Sequence, residues 1–138
     1  MKIALVLRCS SVTLWAALGA VAPCSAQSNT PADLLARYAA QAGVPASAER
    51  GQAMFNGKFG RDFDNCAACH GAMPTKSGKD LVSEKPIKPL APTFQPGRFT
   101  DRTKVEYQFN LNCKEVIGRV CSAGEKADLM AWLISLKP

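Results

Sequence analysis

Histidine is almost absent from this sequence, whose 138 residues contain His70 and no other. A site that needs two histidines is therefore excluded, as is acid–base chemistry between a pair of imidazoles. Long apolar runs are also absent, because the run from Val12 to Ala22 holds eleven residues and a membrane-spanning helix needs about 20. The basic residues are dispersed and form no cluster with aromatic residues, which argues against binding to nucleic acid.

The amino-terminal residues have the pattern of a secretory signal. Lys2 and Arg8 supply a positive end, the apolar run follows, and small residues up to Ala26 offer a cleavage site. We therefore predict a signal peptide over residues 1–26, export to the periplasm, and a single compact domain over residues 27–138. The alternative is lipid modification of Cys24 as the first mature residue, but Pro23 directly before it fits such a cleavage site poorly.

Start and stop signals of α-helices recur along the predicted domain. Thr30 and Pro31 begin a helix that Gly43 ends. A second helix is predicted from Ser47 to about Asn56. These short helices leave little room for a large apolar core.

Two more helices are predicted in the last third of the chain. One begins at Thr100-Asp101 and ends at about Leu111. The last helix begins with a capping box formed by Ser122 and Glu125, and its apolar residues recur at helical spacing.

Residues 71–99 differ from the helical segments because they hold five prolines. This composition predicts a long irregular loop with at most a short turn of helix. A loop of this length in a small domain is usually functional or wrapped around another group. Since no alternating strand pattern of useful length occurs, we predict an all-α fold whose thin core is completed by a bound group.

One helix crossing can also be predicted. Gly51 and Phe55 lie one turn apart on the second helix, and Trp132 lies on the last. Glycine lets two helix backbones approach closely, so we expect the helices to cross here with Phe55 and Trp132 in ordinary core packing.

Two of the cysteines lie one helical turn apart and directly precede the single histidine, in the segment Cys66-Ala67-Ala68-Cys69-His70. Their spacing matches the two vinyl groups that cysteines join as thioethers, and the histidine then lies under the ring as an iron ligand. We therefore predict one covalently attached haem c, bound by Cys66 and Cys69, with His70 on the iron.

Two other uses of these cysteines are the alternatives. A zinc site would draw on Cys113 and Cys121, but the gap between these two departs from the usual short ligand spacing. A redox-active dithiol would need a strand-to-helix context that is missing around Cys66.

Cys113 and Cys121 are the pair that remains in the predicted domain once Cys66 and Cys69 hold the haem. They close a short loop that contains Gly118. A disulfide here would stabilise the fold by about 2 to 3 kcal/mol, because it restricts the unfolded chain.

The candidates for the second axial ligand of the iron can be narrowed by counting the histidines and methionines. No second histidine exists, and Met54 and Met130 lie within predicted helices. Met73 is only three residues past His70 and would have to pass around the edge of the macrocycle, a reach of about 10 Å. A lysine, a neutral amide, a tyrosine, water or an open position remain.

Short motifs that extend over nearly the whole predicted domain carry a resemblance to a known family. They are Pro89-Leu90-Ala91-Pro92, Arg98-Phe99-Thr100-Asp101, Val105-Glu106, Asn112-Cys113, Ile117-Gly118-Arg119, Cys121 and Glu125-Lys126-Ala127-Asp128, with the Thr30-Pro31-Ala32 start. In these motifs the chain resembles the sphaeroides haem protein (SHP) family of small monohaem cytochromes c. The resemblance implies a class I cytochrome c-like fold, in which helices wrap around one covalently bound haem.

The resemblance also implies the residue that faces His70 across the iron. In the family this sixth ligand is an asparagine directly before the first cysteine of a disulfide. The matching residue is Asn112, and the resemblance likewise implies the Cys113–Cys121 disulfide. Without the family match, Asn112 would be interpreted as a helix C-cap residue.

Two neighbours of Asn112 bear on this assignment. Asn110 lies two residues earlier and is therefore expected on a different face of the helix. Gln108 stands where we expect a tryptophan in the family, so a different wall of the distal pocket is expected.

The implied ligand leads to a functional expectation. A neutral amide oxygen suits ferric iron and holds the softer ferrous iron poorly, so reduction should release Asn112 and open a position for oxygen or nitric oxide. The resemblance implies another haem protein, a diheme cytochrome c, as electron donor. The alternatives are a plain electron-transfer cytochrome c and a slow haem reductase; because no distal acid–base pair is evident, we expect electron transfer and gas binding rather than catalysis.

Overall fold

The computed structural model describes residues 30–61 and 63–138, so the predicted signal peptide over residues 1–26, including Cys24, lies outside it. Five α-helices and one short antiparallel strand pair make up this part of the chain. They are α1 (Pro31–Ala42), α2 (Ala48–Asn56), α3 (Ala67–His70), β1 (Gly78–Lys79), β2 (Pro86–Ile87), α4 (Arg102–Val116) and α5 (Ala123–Ser135). Among these helices, none has the length and apolar character needed to cross a membrane.

The predicted starts of α1 and α2 are confirmed by their caps. The Thr30 side chain accepts a hydrogen bond from the Asp33 backbone N–H, and the Asp33 carboxylate accepts one from the Thr30 backbone in return. Gly43 ends α1 with a φ of 68°, the left-handed conformation that glycine adopts without a Cβ penalty. The Ser47 side chain caps α2 by accepting from the Arg50 backbone N–H.

The core lies on α5, against which α1 and α2 both pack. A Cβ at Gly51 would overlap the backbone carbonyl oxygen of Asp128 and stand 2.9 Å from the Leu129 backbone nitrogen, so α2 and α5 touch backbone to backbone. The rings of Phe55 and Trp132 lie 4.8 Å apart beside this crossing. The predicted crossing is therefore confirmed, and only glycine fits at its centre.

The same crossing is fixed by a buried carboxylate that sequence patterns did not single out. Asp128 is 8% exposed and accepts hydrogen bonds from the Ser47 backbone N–H at 2.7 Å and from Arg50 at 2.7 and 2.8 Å. A buried carboxylate needs such partners, because an unpaired one would be costly. Asp128 thus ties the amino end of α2 to the middle of α5.

Two parts of the fold differ from the sequence expectation. Helix α4 ends at Val116 rather than at about Leu111, because no helix breaker occurs before Gly118, which has a φ of 83° and donates to the carbonyls of Cys113 and Lys114. Asn112 consequently lies inside α4, and its interpretation as a C-cap residue is wrong. The proline-rich loop contains the β1–β2 pair, two strands of two residues each in an otherwise all-α fold.

The start of α5 leads to a pH-dependent prediction. Hydrogen bonds from Arg119, at 2.8 and 2.6 Å, together with those from Ser122, lower the pKa of Glu125 from 4.5 to about 2 against the opposing effect of burial. A carboxylate with a depressed pKa stabilises the fold above its unfolded pKa, and this contribution is lost as the pH falls through the folded pKa. Thermal unfolding should therefore show a larger loss of stability between pH 5 and pH 2 for the wild-type protein than for Glu125→Gln.

The matched control is Glu49→Gln, which removes an exposed carboxylate from the first turn of α2. Its stability should fall with pH as steeply as that of the wild-type protein. Parallel pH profiles for wild type and Glu125→Gln would contradict the role given to the Arg119–Glu125 pair.

Candidate functional site

The segment with the paired cysteines contains α3, a single helical turn that begins directly after Cys66. The Asn65 side-chain oxygen accepts from the Ala68 backbone N–H at 2.8 Å, and the His70 N–H donates to the Cys66 carbonyl at 3.2 Å. Gly71, with a φ of 75°, ends the turn directly after the histidine. Both cysteines and the histidine are thereby held on one short, well-defined element.

Cys66, Cys69 and His70 all line one cavity of about 640 Å³. This volume lies within the range of pockets that hold small-molecule cofactors, roughly 300–1,000 Å³. Much of the lining is apolar and comes from Phe55, Phe63, Leu81, Val82, Ile87, Leu90, Phe99, Val105, Phe109, Leu129 and Leu133. The cavity therefore suits a large and mostly apolar cofactor that is attached from the α3 side.

The electrostatics of α3 favour metal ligation over thiol redox chemistry. Burial lowers the pKa of His70 and the positive charge of Arg98 lowers it further, so the imidazole is neutral and has a free lone pair. Burial raises the pKa of the Cys66 thiol to about 11. A redox-active cysteine needs a lowered pKa, so the dithiol alternative is disfavoured.

The β1–β2 pair packs directly on α3. A Cβ at Gly78 would overlap the carbonyl oxygen of Cys69 and stand 2.9 Å from the Cα of His70. Glycine therefore lets the proline-rich loop lie against the backbone of the histidine. The loop is kept in shape by Arg98, which donates to the carbonyl oxygens of Pro89 and Lys88 at 2.9 and 2.7 Å.

Helix α4 contributes four polar residues to the same cavity, and Asn65, Asp80, Arg98 and Asp101 from other segments also line it. The four from α4 lie on one helical face, namely Lys104, Gln108, Asn112 and Glu115. Asn110 is not among them, in keeping with its expected position on another face. Gln108 is thus a second α4 amide within the cavity, although the sequence had indicated it only as part of the wall.

None of the methionines in the described part of the chain lines the cavity. Met130 is fully buried in a separate cluster with Leu34 and Tyr38, Met54 packs against the core of α2 and α5, and Met73 is exposed. The low expectation for methionine ligation agrees with this arrangement. Neither Tyr38 nor Tyr107 lines the cavity either.

Cys113 and Cys121 are joined in a disulfide with an S–S distance of 1.98 Å, which leaves Cys66 and Cys69 outside any disulfide. The disulfide consumes the two sulfurs that a zinc site would need. Both of its cysteines line the cavity. The loop that they close follows directly after Asn112.

The site defines a class of protein: a c-type cytochrome with one covalently bound haem. Comparison with known proteins supports the same class. A family model described as "Domain of unknown function (DUF1924)" matches residues 41–133. The "Cytochrome c-type protein SHP" of Cereibacter sphaeroides is 49% identical over 116 residues, which span 80% of this chain and 88% of the relative. The chain belongs to the sphaeroides haem protein family.

Two solved structures are similar to most of this chain. One is oxidized SHP, described as an oxygen-binding cytochrome c, with a TM-score of 0.74, 49% identity, and coverage of 78% of this chain and 98% of the other. The other is the solution structure of cytochrome c'' of Methylophilus methylotrophus, described with regard to haem-ligand detachment. The match has a TM-score of 0.66 at 35% identity and covers 77% of this chain and 93% of the cytochrome c'' chain. The expected all-α cytochrome fold and the haem c cofactor are thereby confirmed.

Proposed function

We propose that this protein is a periplasmic monohaem cytochrome c whose sixth iron ligand, Asn112, is labile, and that it binds oxygen or nitric oxide when reduced. Cys66 and Cys69 hold the haem and His70 is the proximal ligand. The observation that carries the proposal is that Asn112 lines the same cavity as His70, whereas none of the described methionines does.

The chemistry of the Asn112 amide makes its binding to iron depend on the oxidation state. A bound haem would supply an iron that changes between the ferric and ferrous states, and His70 and Asn112 would be its ligands. The side-chain oxygen of Asn112 is a neutral, hard donor, which suits ferric iron better than ferrous iron. Asn112 should therefore dissociate on reduction and return on oxidation.

The surroundings of Asn112 favour a short, reversible movement. Asn112 lies within α4 and is followed by Cys113. The disulfide from Cys113 to Cys121, eight residues further on, closes a short loop. A side chain on such an element can change rotamer while its backbone stays in place. We infer that rebinding after oxidation is fast.

The relatives support the gas-binding part of the proposal. The solved SHP structure is described as that of an oxygen-binding cytochrome c, and cytochrome c'' as a protein with haem-ligand detachment. Both activities require an iron position that can open.

The remaining parts of the proposal concern location and partner. Residues 1–26 act as the signal peptide and residues 27–138 form the exported domain. The electron donor is another haem protein, for which a diheme cytochrome c is the candidate that the family resemblance implies. A plain electron carrier would differ in one respect, because its rate of electron exchange would not respond to oxygen or nitric oxide.

The test of the ligand assignment is the ferric spectrum of Asn112→Ala. Removal of the amide should change the optical spectrum and the resonance Raman coordination markers of the ferric protein, while the ferrous spectrum stays like that of the wild type. Asn110→Ala is the matched control, because it removes an amide from the same helix outside the cavity. It should leave both spectra unchanged.

Two further variants separate Asn112 from the other donors of the α4 face. Gln108→Ala and Lys104→Ala remove the second amide and the lysine that line the cavity. Each should retain the wild-type ferric coordination. An unchanged ferric spectrum in Asn112→Ala, with a change in either of these two, would assign the ligand elsewhere.

A further inference from the structure

One arginine outside the haem cavity ties the loop before the haem-binding turn to the end of α4. The Nε–H of Arg61 donates to the backbone carbonyl oxygen of Glu115 at 3.1 Å, across 54 residues of sequence. Glu115 lies in the last turn of α4, where carbonyl oxygens lack a partner within the helix. The positive guanidinium also meets the negative end of the helix dipole there. Arg61 thus provides a hydrogen-bond donor for the Glu115 carbonyl oxygen and stabilises the last turn of α4.

The same guanidinium lies on the disulfide loop. A Cβ at Gly118 would stand 2.8 Å from Nη1 of Arg61 and 3.3 Å from its Cζ, and the φ of Gly118 is 83°. Glycine at this position therefore permits both the left-handed turn and the close approach of Arg61. The contact joins residues 113–121 to the loop that leads to α3.

The disulfide loop is fixed on its other side as well. Arg119 donates to both carboxylate oxygens of Glu125 at the start of α5, at 2.8 and 2.6 Å. The Cys113–Cys121 bond closes the loop itself. The residues after Asn112 are therefore held at three places, and Arg61 provides the one that faces the haem-binding segment.

We propose that Arg61 is a positioning residue for Asn112: it holds the last turn of α4 in place and so favours the ligated position of the Asn112 side chain. The proposal rests on the proposed ligation by Asn112. Asn112 and Glu115 lie three residues apart and therefore share one face of α4. Loss of the Arg61 contact should loosen the last turn and weaken the hold of Asn112 on ferric iron.

Cyanide binding to the ferric protein measures this hold. Cyanide must displace Asn112, so its apparent affinity rises as the fraction of protein with Asn112 ligated falls. Arg61→Ala should raise the apparent cyanide affinity about two- to fivefold, the factor that corresponds to loss of a charged partner at a helix terminus. Arg61→Lys keeps the charge but lacks the planar group that lies on Gly118. Its apparent cyanide affinity should therefore lie between that of the wild type and the higher affinity of Arg61→Ala.

Two controls make the result specific. Lys58→Ala removes an exposed positive charge from the same loop and should leave the cyanide affinity unchanged. In an Asn112→Ala background there is no amide to displace, so adding Arg61→Ala should have no effect. This second result would not be expected of a residue that only stabilises the fold.

The outcomes separate this proposal from the function on which it rests. If Asn112→Ala raises the cyanide affinity but Arg61→Ala behaves like Lys58→Ala, the role of Arg61 is wrong and the ligand assignment stands. If Asn112→Ala changes neither the ferric spectrum nor the cyanide affinity, both proposals fail. An equal effect of Arg61→Ala with and without Asn112 would show that Arg61 acts by another route, which also contradicts its proposed role.

Discussion

Replacement of both Cys66 and Cys69 by serine is expected to abolish covalent attachment of the haem. Cys66, directly before α3, and Cys69, within it, both line the cavity, and thioether bonds form only at sulfur. Serine keeps the size and the helical position of each side chain but cannot make this bond. The variant should lose all of its haem to acidified acetone, whereas the wild-type polypeptide should retain its haem through the same extraction.

The matched control removes the other cysteine pair. Cys113→Ser with Cys121→Ser also takes two sulfurs from the lining of the same cavity, yet it should leave the covalent haem intact. Its free energy of unfolding should fall by about 2 to 3 kcal/mol, because the unfolded chain is no longer restricted. Haem that stays with the Cys66→Ser, Cys69→Ser polypeptide would contradict the assignment of α3 as the attachment site.

Gly51→Ala is expected to destabilise the protein by about 3 kcal/mol, at the upper end of the usual cost of overpacking a core. The new Cβ would overlap the carbonyl oxygen of Asp128, and backbone atoms cannot move aside as a flexible side chain can. Separation of α2 from α5 would also lengthen the hydrogen bonds from Arg50 to Asp128 and loosen the packing of Phe55. Denaturant unfolding of the haem-loaded protein gives the free energy directly.

Gly124→Ala is the control for this substitution. Gly124 lies in the first turn of α5, and a Cβ there would meet only side-chain atoms, at 3.7 and 3.9 Å. Since alanine has the higher helix propensity, this variant should be neutral or more stable by up to about 1 kcal/mol. Equal stabilities of Gly51→Ala and Gly124→Ala would refute the close backbone contact at Gly51.

The parts of the fold that sequence could predict are those set by local chemistry. Thr30, Ser47 and Ser122 each cap a helix through contacts within three residues, so the starts of α1, α2 and α5 follow from the sequence around them. The haem-binding turn is equally local, since Cys66, Cys69 and His70 lie within five consecutive positions. Distant parts of the chain need not be known for any of these.

The end of α4 shows where such reasoning fails. Asn112 is a plausible C-cap residue in sequence, yet the helix continues to Val116. The actual stop is Gly118, whose left-handed conformation ends the helix next to the disulfide and under the guanidinium of Arg61. A side chain 54 residues away from its partner leaves no local signal by which the contact could have been predicted.

The set of α4 donors that lines the cavity beside Asn112 was not evident from the sequence. It depends on the rotation of α4 about its axis, which is set by the packing of Val105 in the core and by the ion pair of Glu106 with Lys126 at 2.7 Å. This rotation brings Gln108 and Lys104 into the cavity beside Asn112 and leaves Asn110 out. Which donors compete for the iron therefore becomes apparent only once the helix is placed.

The central claim is that Asn112 leaves the iron on reduction. Resonance Raman spectra of the wild-type protein in its ferric and ferrous states test this directly. We predict six-coordinate ferric haem and five-coordinate, high-spin ferrous haem, with the ferrous form taking up nitric oxide without displacing a protein ligand. A ferrous spectrum that stayed six-coordinate and low-spin would contradict the account.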